Sequence, residues 1–132
     1  MSDSVIEKLD LDDPLIAVVG ATDHPGKYGG IIYRHLKAKG YRVVPINPWR
    51  DEVDGDPTFA SVSDLDEVPD IIDVVVPPHR TLALLDEFAT VEDAGVWIQP
   101  GAADGAVREK AATLDVDVLI DACIMVFAPS RA

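Results

Sequence analysis

The order of apolar segments along these 132 residues predicts a single α/β domain built on a doubly wound, five-stranded parallel sheet. Three observations carry the prediction. Short apolar runs alternate with stretches of helical periodicity. The runs are apolar almost throughout, as strands covered on both faces are. The first run ends in glycine and passes through a turn into a helix, the local order of nucleotide-binding α/β folds. Right-handed crossovers leave few topologies, and 3-2-1-4-5 is the simplest doubly wound strand order. A ligand is then expected at the carboxyl ends of the strands, beside a switch point between strands 1 and 4.

Residues 1–13 read as an acidic lead-in and residues 14–132 as the domain. The first strand is expected over 15–20 and the first helix over about 28–40. The second strand, Tyr41-Arg-Val-Val-Pro-Ile46, is apolar and β-branched, weakened slightly by Pro45 near its end. Residues 47–70 hold Pro48, Gly55, Pro57 and Pro69 and read as a long irregular connection, with a helical turn around 64–67. The third strand, 71–76, is stopped by Pro77-Pro78. A helix over about 80–93 places Leu82, Leu85 and Phe88 on one face. A strand at 95–98, a helix at about 103–114 and a strand at 116–120 complete the sheet.

Composition fits one domain with a substantial core: 48% of the residues are hydrophobic and few of these are aromatic. A single cysteine rules out an intramolecular disulfide. The first residues show neither a basic n-region nor an apolar h-region, and no apolar run approaches bilayer length, so a soluble cytoplasmic protein is expected. Acidic residues number 24 against 11 basic ones, a formal net charge of −13. Such a field repels nucleic acid and anionic membrane surfaces and excludes both as partners. Acidic residues are spread through almost every segment and lysine is scarce. That pattern suits a solvated surface adapted to high intracellular salt, a halophilic source, better than a docking face for a basic partner. An anionic ligand must therefore find local positive charge against this background.

The residues after each strand are the unusual ones. After the first come Gly20-Ala21-Thr22 and Pro25-Gly26-Lys27-Tyr28-Gly29. Small residues let the backbone approach a ligand, free N–H groups at a helix start attract an anion, and Lys27 can place a point charge on a phosphate. The same glycines also suit close strand–helix packing. After the second come Asn47-Pro48-Trp49-Arg50, where an NAD site would place a carboxylate. Asparagine adds no negative charge and Arg50 can reach an anion, which is consistent with NADP or with coenzyme A and its ribose 3′-phosphate. After the third, Val76-Pro77-Pro78-His79-Arg80 offers a rigid apolar edge for an adenine, with Arg80 at a helix start; Pro there is also an ordinary first-turn residue. After the fourth come Gln99-Pro100-Gly101, an amide that can meet a ligand or cap the following turn.

Taken together, Val19-Gly20-Ala-Thr22, Pro25-x-Lys27-x-Gly29, Gly40-Tyr-x-Val43, Pro45-x-Asn47-Pro48, Gly55 and Trp97-Ile-Gln99-x-Gly101 resemble the stand-alone CoA-binding domain family. That family is related to the CoA-binding domain of the succinyl-CoA synthetase α subunit. The resemblance spans about residues 14–124 and implies a Rossmann-like domain holding coenzyme A along its strand ends. Carried over, it implies that Gly20, Ala21, Thr22 and Lys27 hold phosphates, with Tyr28 and Gly29 in the same loop. It places Asn47, Pro48 and Arg50 by the nucleotide, Val76 and Pro77 by the adenine, and Gln99 and Gly101 along the pantetheine. Two departures stand out. Relatives often read Val-Phe-Arg where this chain has Val76-Pro77-Pro78, and Asp-Arg-Cys where it has Asp121-Ala122-Cys123; Arg80 is a candidate substitute for the missing arginine.

No catalytic set is evident. The catalytic histidine of the synthetase α subunit lies in a second domain with no counterpart in these residues. His35 falls within the first helix as a surface or packing residue. His24 and His79 sit in site loops without an adjacent nucleophile and read as ligand contacts. No spacing suggests a metal. Cys123 is either a small core residue or a thiol placed near the pantetheine sulfur. The expected function is a non-catalytic CoA or acyl-CoA binding protein: a carrier, a sensor or an accessory subunit, alone, as a homo-oligomer, or with a synthetase-like partner. The alternatives are an NADP-binding oxidoreductase module and the CoA-binding subunit of a multi-chain acyl-CoA synthetase.

Overall fold

Pro45 fixes the edge of the sheet. In the computed structural model, which describes residues 2–132, five parallel strands run β1 (Leu15–Val19), β2 (Arg42–Ile46), β5 (Ile71–Val74), β6 (Gly95–Ile98) and β7 (Val118–Ile120) in the order β2-β1-β5-β6-β7. The α/β class and the five-stranded parallel sheet are as expected. The strand order is not: the segment at 71–74 pairs with β1, Val19 opposite Val74, instead of lying outside β2. In the order of expectation the sheet is 2-1-3-4-5, and its switch point lies between β1 and β5, not between strands 1 and 4. The reason is physical. The Pro45 carbonyl faces away from β1 and accepts the Phe59 N–H at 3.1 Å, so the N–H that proline lacks would face outward too. A strand flanked on both sides needs that donor; an edge strand does not. β5 is buried along its whole length and belongs inside the sheet.

Met1, the first residue of the acidic lead-in, lies outside the described residues. The rest of the lead-in forms α1 (Ser2–Glu7) and a 3₁₀ turn at Lys8–Asp10, and it places Val5 and Leu9 in the core. Side chains alternate across the sheet. Ile16, Val18, Ile71 and Trp97 face α2 (Tyr28–Ala38) and α5 (Ile124–Phe127), where Ile32, Leu36 and Ile124 close the layer. Ala17, Val19, Ile72, Val74, Val96 and Ile98 face α3 (Pro78–Phe88) and α4 (Gly105–Ala111), with Leu85, Phe88 and Val107. Trp97 is core, as its strand position predicts.

Boundaries shift for local reasons. Gly20 leaves the first strand at φ 101°. α3 begins at Pro78, a residue suited to the first helical turn, and ends early because the Thr90 and Val91 N–H groups tighten onto the carbonyls three residues back. The Asp104 carboxylate caps α4 through the Val107 N–H at 3.0 Å, which sets its start at Gly105. The expected helical turn at 64–67 lies earlier, at Val62–Asp64.

The connection at 47–70 is not irregular throughout. β3 (Glu52–Val53) and β4 (Asp56–Pro57) form an antiparallel hairpin around Asp54-Gly55. Both turn residues have positive φ, 52° and 80°, the geometry for which Asp-Gly is favoured. The hairpin is clasped to α2: the Tyr33 hydroxyl donates to Asp56 at 2.6 Å, and the Lys37 ammonium reaches Asp56 at 2.8 Å and Asp54 at 3.1 Å.

Among the described residues, one charge-bearing group sits in the core. Asp73 on β5 is fully buried, and its Oδ1 accepts the Gln99 Nε2–H at 2.5 Å while Oδ2 has no partner. Burial, opposed by the Gln99 hydrogen bond, pushes its pKa up to about 7. The folded state thus holds this proton more tightly than the unfolded chain does. The stability it contributes is full below about pH 4 and is lost as pH rises through about 7. Asp73→Asn should therefore gain stability over wild type with rising pH, by up to about 1.4 kcal/mol per pH unit across that window. Urea denaturation of both proteins at pH 5, 6, 7 and 8 checks this; a constant difference would refute it.

Candidate functional site

The site is built on a backbone contact that only glycine permits. The turn after β1 and the start of α2 approach so closely that a Cβ on Gly29 would lie 1.9 Å from the Gly20 carbonyl oxygen. A Cβ on Gly20 would lie 2.3 Å from the Val75 carbonyl oxygen beyond β5. The packing role of these glycines is thus real, and it brings the N-terminus of α2 to the mouth of the cleft. No side chain caps that terminus. Its first N–H groups stay available to an anion.

Asn47 joins the second strand end to this turn. Its Nδ2 donates to the Ala21 carbonyl at 3.0 Å and its Oδ1 accepts the Trp49 N–H at 2.8 Å. Thr22 Oγ1 accepts the His24 N–H at 3.1 Å and shapes the loop leading to Lys27.

Between these elements lies a cavity of about 690 Å³ over the switch point, a size suited to a nucleotide-like ligand. Of the expected site residues, Gly20, Thr22, Lys27, Tyr28, Gly29, Asn47, Arg50, Val76 and Pro77 line it. Ala21 is buried beneath, offering its carbonyl to Asn47. Pro48 turns into a small neighbouring cavity with Val62 and Phe88. His24 lines the main cavity and His79 does not. The sequence reading left out Trp49 and Val75 and gave Arg80 no firm place, yet all three line it. Arg80 follows the proline pair by two residues, and Trp49 precedes Arg50; an aromatic beside a cation was the available signal.

Charge distinguishes this cavity from the rest of the surface. Lys37, Arg42, Arg108 and Lys110 pair with carboxylates. Lys8, Lys39 and Arg131 donate to backbone carbonyls. Among the described residues, Lys27, Arg34, Arg50 and Arg80 have neither kind of partner, and three of these four, Lys27, Arg50 and Arg80, line the cavity. Arg34, the remaining cation, is exposed on α2. In a chain of net charge −13, this is where the local charge would favour an anion.

A second, apolar cavity of about 200 Å³ adjoins the first; Tyr28 and Val75 line both. Ile32, Gln99, Pro100 and Cys123 complete it. Gln99 is buried, with Nε2 on Asp73 and Oε1 accepting the Ile124 N–H at 3.2 Å. Gly101, at φ 89°, forms the turn beyond and lines neither cavity. Among the described residues no group of three or more His, Cys, Asp or Glu is placed to hold a metal. No helix among them is long and apolar enough to cross a membrane.

The chain belongs to the CoA-binding domain family, whose model matches residues 15–129. A conserved hypothetical protein from Pyrococcus furiosus is 36% identical, with a TM-score of 0.79 over 86% of this chain and 97% of that one. The ADP-forming acetate–CoA ligase of Methanocaldococcus jannaschii is 37% identical over 72 residues, which are 54% of this chain and 10% of the ligase. A dinucleotide-forming acetyl-coenzyme A synthetase 1 of Ca. Korarchaeum cryptofilum is 28% identical, with a TM-score of 0.72 over 86% of this chain and 27% of its own length. The chain thus spans a small part of either synthetase. Its resemblance to CoA-binding domains, read from six short motifs, holds.

The glycine contact makes a stability prediction. Gly29→Ala should destabilise the protein by about 2–3 kcal/mol, because the added methyl would meet the backbone of the Gly20-Ala21 turn, which cannot give way as a side chain could. Gly105→Ala, at the first position of α4 with open space around it, should be neutral or stabilising by up to about 1 kcal/mol. Thermal and urea unfolding of the two variants test the contrast; equal effects would sink it.

Proposed function

We propose that this protein binds coenzyme A or an acyl-CoA without turning it over, as a carrier, a sensor or the CoA-holding partner of a separate subunit. The observation that carries the reading is the convergence of Lys27, Arg50 and Arg80, each without a carboxylate or carbonyl partner, on one cavity at the switch point. Lys27, Thr22 and the uncapped N-terminus of α2 suit the diphosphate. Val75, Val76 and Pro77 offer the adenine an apolar wall. The pantetheine arm then passes Tyr28 and Val75 into the second cavity and ends near Cys123. Gln99 frames that path. The oxidoreductase alternative gains no support from His24, which is exposed at the cavity with its Nδ1 against the Pro25 carbonyl at 3.0 Å. The likeness to an acetate–CoA ligase and to an acetyl-coenzyme A synthetase supports coenzyme A as the ligand.

The cavity's charge would also suit NADP, so the ligand must be tested directly. Calorimetry in high-salt buffer, chosen for the acidic surface, should rank coenzyme A above NADP and NAD. Lys27→Ala should weaken coenzyme A binding about tenfold, the loss of one charge-assisted contact. Tighter binding of NADP would replace the proposed ligand.

A further inference from the structure

Trp49 is a large apolar side chain that the fold does not bury: it is 71% exposed, at the rim of the main cavity. Its backbone is nevertheless tied to the rest of the site. The Asn47 side chain holds the Trp49 N–H on one side and the Ala21 carbonyl on the other. Across the cavity, from the first turn of α3, the Arg80 guanidinium lies over the indole, 4.3 Å from the ring centroid. This contact joins the β2 side of the switch point to the β5 side. Stacking engages the flat face of a guanidinium and leaves its N–H donors, which point outward in the plane, free for a bidentate acceptor. Arg50 follows Trp49 in the chain, lines the same cavity and likewise has no partner among the described residues.

We propose that Trp49 is a positioning residue that presents Arg80, together with Arg50, to a phosphomonoester on the ligand's ribose, at a subsite separate from the diphosphate loop at Lys27. This inference rests on the coenzyme A reading and names what selects the phosphorylated ribose over a free hydroxyl. Trp49 acts through Arg80, and the ring itself need not touch the ligand. A phosphomonoester carries close to two negative charges, and pre-placed guanidinium groups hold it through strong bidentate hydrogen bonds.

The test is calorimetric titration of the full chain with coenzyme A and with 3′-dephospho-coenzyme A, in wild type, Trp49→Phe, Trp49→Ala and Arg80→Ala. Wild type should prefer coenzyme A by about tenfold or more. Trp49→Ala and Arg80→Ala should each reduce that preference to about threefold or less, with the affinity for dephospho-coenzyme A nearly unchanged. Trp49→Phe, which keeps an aromatic face, should retain most of the preference. A ratio untouched by Trp49→Ala overturns the proposal. So does an equal loss for both ligands, which would make the indole a general wall of the site. Equal binding of both ligands by wild type overturns this inference and leaves the coenzyme A reading intact; binding of neither overturns both.

Discussion

The close approach of α2 to the turn after β1 is the constraint from which the rest of the site follows. With no side chain on Gly20 or Gly29, the helix start rests directly on backbone, and its first N–H groups reach the cleft. Other contacts then register against this one. Asn47 grips the Ala21 carbonyl and so ties the second strand end to the turn. Tyr33 and Lys37, one and two turns further along α2, hold the β3–β4 hairpin and with it the far end of the segment that carries Trp49 and Arg50. Hydrogen bonding to Lys37, then to Tyr33, holds the Asp56 carboxyl below its usual pKa, so the clasp stays charged at neutral pH. The anion-facing loop and the loop opposite are therefore fixed by one helix.

Net charge sharpens what that scaffold can do. A protein of −13 has carboxylates to spare for every lysine and arginine, and most of the cations are engaged with a carboxylate or a carbonyl. Leaving three cations without such partners beside one cavity is not a default of composition. The cleft withholds carboxylates from these groups, and for Arg80 offers an indole face in place of a counter-ion. An aromatic face attracts a guanidinium weakly compared with a charged acceptor. Such a cation is held in place without being neutralised.

Much of this was legible in the sequence. Alternating apolar runs gave the layers, and the strand-end motifs gave nine residues that do line the cavity. Strand order was misjudged although the signal was present: Pro45 lacks the N–H that a central strand requires on its outer side. The hairpin in 47–70 was likewise announced by Asp54-Gly55, but its strands are two residues each, too short for alternation to register. Trp49 and Arg80 lie 31 positions apart, and their pairing depends on the β2 and β5 sides facing one another across β1. No local pattern encodes that juxtaposition; it becomes visible once the order β2-β1-β5 is known.

Gln99 is a different kind of case, placed correctly beside a cavity but for another reason. Its amide is engaged at both ends, by the Asp73 carboxyl and by the Ile124 N–H. Burying Asp73 with one oxygen unpartnered is costly, and an apolar residue there would remove the cost. What the carboxyl supplies is direction. An amide can lie either way round, and an acceptor at Nε2 turns Oε1 toward α5. That helix has four residues and no side-chain cap, so its first N–H depends on Gln99. The wall that carries Cys123 is therefore suspended from the sheet through two buried polar side chains. The Gln99 amide beside the second cavity is committed to structure, and a ligand arm entering it would meet Ile32, Val75, Pro100, the Tyr28 side chain and the Cys123 thiol. That surface suits the end of a thioester carrier more than a second charged group.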